Sequence, residues 1–259
     1  MNKNNIISLT VMTLLATAVQ AVSAEQQPGT GFIEGSQLSV LNRNYYYNSD
    51  NHSGGKDGRE WGHSILSAFT SGYTSGTVGF GLDAHAYLAL KLDSGRGRNR
   101  SDMFPMKSNG ASRDESTSAG AAVKMRISRS ELKYGDLRPY NPVFALADTR
   151  MFPATATGFM FTSSEIDDLY IDAGHFTSGK DYNQTHGDGD FFAGYAGVKG
   201  GNVDYLGGSY GIDDNTSVTL YTSRYEDLWR QHYLNGNYTL PLGEQRALNL
   251  DANIYRTTE

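Results

Sequence analysis

The chain has 259 residues, a formal net charge of −6 and no cysteine, which excludes disulfides, CxxC redox chemistry and thiolate-held metal. Its 30 Gly, 17 Tyr and 11 Phe, set against two Trp and a mean hydropathy of −0.49, point to a β-rich protein with many tight turns. The acidic balance gives no ground for a nucleic-acid partner.

Residues 1–24 read as a secretory signal peptide. Lys3 supplies the positive charge, an apolar stretch covers 6–19, and Val22, Ser23 and Ala24 form a small-residue cleavage site. The apolar run is shorter than the ~20 residues a spanning helix needs.

The rest of the chain carries period-2 runs of Val, Ile, Leu, Phe and Tyr. They fall at about 36–47, 60–72, 77–93, 116–128, 131–137, 157–163, 169–177, 203–212, 217–225, 231–240 and 247–256. In the third run Val78, Phe80, Leu82, Ala84, Ala86, Leu88, Leu90 and Leu92 share one face, while Asp83, His85 and Lys91 share the other. In the fourth, Val123, Met125 and Ile127 oppose Lys124, Arg126 and Ser128. All six prolines lie outside the alternating stretches, as a sheet requires.

The connections alternate long and short. Segments 48–59, 94–115, 138–156 and 178–202 are long; 73–76, 129–130, 164–168 and 213–216 are short. The pattern weakens at 226–230, where a long segment is due. Such asymmetry belongs to an outer-membrane barrel, with short turns at one rim and long loops at the other. Strand length agrees. Seventeen residues, 77–93, at ~3.3 Å each span roughly 55 Å, against five or six residues in an ordinary soluble strand. The fold class expected is therefore all-β, a transmembrane antiparallel barrel. The alternative is a secreted soluble β-rich binding protein, such as a carbohydrate-binding module, whose apolar faces pack inward.

Several motif lookalikes lack their structural context. Gly207-Gly208-Ser209-Tyr210-Gly211 matches G-x-S-x-G but lies inside a strand, where a nucleophile elbow cannot form, so no enzyme is expected. Gly79-Phe80-Gly81 sits mid-strand, with no helix to receive a pyrophosphate. The six His show no ligand spacing, and Asp181, Asp188 and Asp190 depart from the EF-hand pattern, so neither metal nor cofactor is expected. Arg96, Arg98 and Arg100 form one short basic cluster in an acidic chain.

The basic residues on polar strand faces carry more. Strand phase points Arg43, Lys91, Lys124, Arg126 and Lys133 into a barrel lumen, where a row of cations attracts carboxylates. Each has a blander alternative, pairing with a lumen acid such as Asp83 or Glu131. Segment 138–153 holds Pro139, Pro142 and Pro153 and is too apolar for a freely solvated loop. Its expected place is inside the lumen, narrowing it.

Ten stretches together resemble the OprD family of substrate-specific outer-membrane porins. They are GFIE (31–34), LNRNYY (41–46), GTVGFGLDA (76–84), KLDSG (91–95), AVKMRIS (122–128), PVFA (142–145), RMFPATATGF (150–159), AGHFTSGK (173–180), RQHYLNGNYTLPL (230–242) and NIYRT (253–257). The branch resembled most is that associated with basic amino acids and small peptides, which also admits carbapenem antibiotics. The resemblance implies an eighteen-strand barrel with an eyelet formed by inward-folded loops. On matching positions, Arg150 would be the eyelet arginine of the third loop and Tyr195 an eyelet tyrosine of the fourth. Arg43, Lys91, Lys124 and Arg126 would belong to the basic track.

The expected function is passive diffusion of small carboxylate-bearing solutes across the outer membrane. The partners implied are outer-membrane lipid and lipopolysaccharide, small anionic or zwitterionic solutes and the assembly machinery, with the protein a monomer or loose trimer. Eleven strands cannot close antiparallel, and an open edge in lipid costs several kcal/mol per unpaired group. Residues 25–259 are therefore expected to be the N-terminal part of a longer porin.

Overall fold

A computed structural model describes residues 31–55, 57–93, 99, 101–193, 197–243 and 246–259. The signal-peptide segment, Tyr195, Arg96, Arg98 and Arg100 lie outside the described residues. In chain order the strands are β1 (Gln37–Ser49), β2 (Gly58–Thr70), β3 (Val78–Asp93), β4 (Glu115–Ile127), β5 (Ser130–Leu137), β6 (Tyr140–Asn141), β7 (Phe144–Ala145), β8 (Thr155–Ser163), β9 (Leu169–Lys180), β10 (Phe191–Ala193), β11 (Val198–Gly200), β12 (Val203–Asp213), β13 (Thr216–Tyr225), β14 (Trp229–Gly243) and β15 (Arg246–Thr258). Eleven of these make one sheet in the order β1-β2-β3-β4-β5-β8-β9-β12-β13-β14-β15, each paired antiparallel with its chain neighbours in the sheet. The other four make two-stranded ribbons inside long connections. Each predicted run falls on one long strand.

Alternation sorts the residues into two faces with opposite solvents. On the outer face Phe80, Val123, Leu220 and Ile254 are 55–65% exposed, as are their apolar neighbours along each strand to a lesser degree. The buried side chains lie on the inner face, where strands and long connections meet. Leu66 from β2 and Tyr87 and Ala89 from β3 pack against Met103 and Phe104 of segment 94–114 and Met151 and Phe152 of segment 138–154. A second cluster joins Phe176, Val203, Tyr205 and Tyr221 of the wall to Val143 and Phe144. An apolar face left open and a half-polar face filled by loops is the arrangement of a membrane barrel, and the reverse of a soluble sandwich.

The long connections share one rim and the short ones the other. The link between β13 and β14 lies on the long-loop rim yet has only residues 226–228. Within the wall, Gly135 has φ of +140°, a conformation that L side chains rarely adopt, and a Cβ there would collide with the Ala121 carbonyl. The alternation breaks at this glycine. Counted in steps of two from Lys133, Asp136 would face outward; instead it turns in and meets Lys180 and His85.

Candidate functional site

Segment 138–154 crosses the inner face and is tied to the wall along its length. Asn141 Oδ1 accepts the amides of Val143 (3.1 Å) and Phe144 (2.7 Å), a local turn that sets the direction of the segment. Asn141 Nδ2 also reaches Asp172, whose carboxylate accepts the Tyr205 hydroxyl at 2.9 Å and the Tyr221 hydroxyl at 3.4 Å. Tyr225 donates to the Val143 carbonyl at 2.9 Å. Farther on, Ser64 Oγ donates to the Met151 carbonyl at 3.2 Å. Arg43 Nη1 reaches both Asp148 Oδ1 (2.7 Å) and the Arg150 carbonyl (2.5 Å). Burial opposes ionisation of Asp148, but Arg43 and Arg138 outweigh it and hold the carboxyl below the usual range.

Arg150 projects from this tethered segment. Its Nε donates to the Ser101 carbonyl at 2.7 Å and its Nη1 to the Thr149 carbonyl at 2.9 Å, and its guanidinium lies 5.6 Å from the Tyr182 ring centroid. Ser101 is itself fixed from behind. The carboxylate of Glu60, 1% exposed, accepts the hydroxyls of Ser101 and Ser112. Two loops thus converge on one guanidinium. Two carboxylates act on the same region: burial lifts the Asp181 carboxyl above the usual range, Asp102 adds to the lift, and the Tyr182 amide and Arg150 pull the other way. Among the described residues Arg150 forms no ion pair.

The other basic residues named from strand phase all reach the inner face, but they do not form one row. Lys124 and Lys133 share Asp83, at 2.7 and 2.9 Å, and Lys133 also meets Glu131 at 3.2 Å. The pairing alternative therefore describes these two. Lys124 is 4% exposed and additionally donates to the Ser71 carbonyl. The Arg126 guanidinium stacks over Tyr73 at 4.4 Å. This group sits near the short-turn rim. Lys91, toward the other end of β3, pairs with Asp114 at 2.6 Å; Lys107 and Lys91 hold the Asp114 carboxyl down to about 2.

Two residues of the wall were not anticipated as a pair. Lys180 Nζ meets Asp136 Oδ2 at 2.5 Å and the Ala119 carbonyl at 2.9 Å. Lys180 closes the AGHFTSGK stretch, so its presence was readable; its partner was hidden by the phase break at Gly135. Ser209 stays within β12 and shares a 2.7 Å hydrogen bond with Thr219 across the sheet. His186 pairs with Asp188 at 3.0 Å and Lys199 with Asp190 at 3.2 Å.

The family model for the outer membrane porins of the OprD family matches residues 30–259. The chain belongs to this family. Porin D of Pseudomonas aeruginosa is 46% identical over 239 residues, which cover 92% of this chain and 54% of that protein. Among solved structures, Acinetobacter baumannii OccAB1 matches with a TM-score of 0.81 at 30% identity, covering 90% of this chain and 55% of the other. Pseudomonas aeruginosa OpdK with vanillate matches with a TM-score of 0.79 at 32% identity, covering 88% and 58%. The chain spans about half the length of the curated relatives it matches. The family is one of outer membrane porins, and the two-faced antiparallel sheet described above is the corresponding part of its fold.

Proposed function

We propose that the chain supplies the N-terminal, constriction-bearing part of a substrate-selective outer-membrane channel, with residues 1–24 removed on export. The channel passes small carboxylate-bearing solutes by diffusion, basic amino acids and small peptides foremost, and carbapenem-type antibiotics with them. Arg150 carries this reading. It is a guanidinium presented on an inward-packed loop, oriented by two carbonyls and not neutralised by a carboxylate ion pair among the described residues. A planar fork of donors so fixed attracts and orients a carboxylate.

Asp102 and Asp181, two carboxyls within electrostatic reach of each other in the same region, suit a solute that also carries an amino group. Arg43, Lys91, Lys124 and Arg126 raise the positive potential of the wall, even where individually paired. The OpdK structure, solved with the carboxylate vanillate, and the identity to Porin D support the same class of solute. Tyr195 is assigned to the eyelet by its match to the family pattern. Outer-membrane lipid and the assembly machinery are the further partners of such a barrel.

The test is conductance of the complete barrel in a planar bilayer. Arg150→Ala is expected to lower the anion-to-cation permeability ratio about fivefold, equivalent to roughly 1 kcal/mol, and to weaken competition by free arginine. Unchanged selectivity would remove Arg150 from the site.

A further inference from the structure

The outer face is apolar for most of its height, but not between β12 and β15 near the long-loop rim. There Arg224 of β13 stands directly opposite Arg230 of β14. Two positions closer to the sheet centre, His232 stands opposite Arg256 of β15. All four side chains are exposed and belong to the same phase as Leu220, Leu234 and Ile254, the apolar row beneath them. Like charges directly across a strand pair are destabilising. Here they also sit at the edge of an apolar band, where charge is least well solvated.

Asp204, the residue facing Arg224 from β12, is held by His175 at 2.6 Å. Glu226 in the adjoining link accepts the Asn202 amide. Among the described residues Arg224, Arg230 and Arg256 form no ion pair. The link between β13 and β14 is the three-residue 226–228, so this stretch of rim lacks the long loop that connects the other strand pairs on that side. On β1 and β2 the outer face carries an aromatic pair, Tyr46 opposite Trp61, and the cation nearer the rim, Arg59, has Asp93 at 3.8 Å.

We propose that Arg224, Arg230 and Arg256 form a binding site for a phosphate-bearing lipid of the outer leaflet, with His232 beside them. A phosphate between the opposed guanidiniums converts their repulsion into paired, charge-assisted hydrogen bonds. The acyl chains of the same molecule lie down the face over Leu220, Leu234 and Ile254. A soluble anion would satisfy the charges but not the continuous apolar row beneath, so the site takes an anionic amphiphile. The proposal rests on the outer-membrane barrel reading and concerns the opposite face of the wall from the solute path.

The test is native mass spectrometry of the protein extracted from outer membranes in mild detergent. The unaltered protein is expected to retain a phosphorylated glycolipid, and Arg224→Gln/Arg230→Gln to retain at least fivefold less. Arg129→Gln, at the short-turn rim, is expected to match the unaltered protein. Arg224→Lys/Arg230→Lys keeps the charge without the planar fork and is expected to retain an intermediate amount, which also guards against loss from misfolding. Equal retention by the Gln variant, or equal retention of enzymatically dephosphorylated lipid, overturns the site. So does a lower oligomeric state with lipid unchanged, because the cluster then serves contact between barrels. Planar-bilayer conductance measured in parallel keeps the two proposals apart: it is expected to be unaltered in every variant, and its absence in the unaltered protein counts against the channel alone.

Discussion

Arg43 and Arg150 are 107 positions apart in the chain, yet the Arg43 guanidinium donates to the Arg150 carbonyl at 2.5 Å. One arginine of the wall thus fixes the backbone of the arginine presented by the loop. The same Nη1 holds Asp148 at 2.7 Å, so a wall residue and a loop carboxylate clamp the Arg150 backbone together.

Removing the carboxylate should loosen the constriction without altering its charge-bearing arginine. Asp148→Asn is expected to increase open-channel current fluctuations at neutral pH, with mean conductance little changed. Acid should reproduce the effect in the unaltered protein. The Asp148 carboxyl is held below its ordinary value, so its contribution is fully present above the usual ~3.9 and is lost as pH falls through the lowered value. Noise that rises instead on going alkaline from pH 6 would contradict the clamp.

Glu60 never reaches the lumen, but it should influence selectivity. It holds Ser101, whose carbonyl orients Arg150 Nε. Glu60→Ala is expected to lower the anion-to-cation permeability ratio in the same direction as Arg150→Ala, and by less. In an Arg150→Ala background it should add almost nothing, since positioning requires something to position. Additive effects in the double variant would show that Glu60 acts on its own.

The Lys124–Asp83–Lys133 triad makes a contrasting pair of predictions. Lys133 retains Glu131 if Asp83 is lost, but Lys124, with its side chain 3% exposed, does not. Asp83→Asn is expected to cost about 3 kcal/mol in urea unfolding of the barrel, because it leaves a buried charge without its partner. Adding Lys124→Met should recover most of that loss. A single variant as stable as the parent would mean that water reaches Lys124.

Gly135 is predicted to be intolerant of any side chain. Its φ of +140° would cost about 1–3 kcal/mol in a non-glycine residue, before the clash with Ala121 is counted. Gly135→Ala should therefore lower the yield of heat-resistant folded barrel, and it should displace Asp136 from Lys180 in a crystal structure of the variant. An unshifted Asp136 would detach the inward turn from this glycine.

Much of this architecture was legible before any coordinates, because membrane strands are long and each declares both its solvents in a two-residue period. The eleven runs, the loop asymmetry and the inward packing of 138–153 all followed from that period or from composition. The period also marks the limit. It assumes an unbroken pleat, which does not hold at Gly135, where Asp136 turns inward to meet Lys180. It is silent on connections, so the inward role of Met103 and Phe104 passed unremarked, although Met103-Phe104-Pro105-Met106 is as apolar and proline-bearing as the loop that was noticed. And it assigns a direction to Arg43, Lys91, Lys124 and Arg126 but not a partner. Two of the five phase-assigned cations turned out to share one aspartate.

Each strand of the sheet pairs only with its neighbours in chain order, whereas the ties that seat the constriction reach from 31 to 107 residues along the chain, most of them beyond 80. Loop closure over such spans is paid for only once both anchoring strands are in place. The wall and its obstruction therefore have different folding clocks: zippering of adjacent hairpins builds the sheet, and docking of 138–154 follows as a separate, slower event. A nascent barrel passes through a stage that is wide before it is selective.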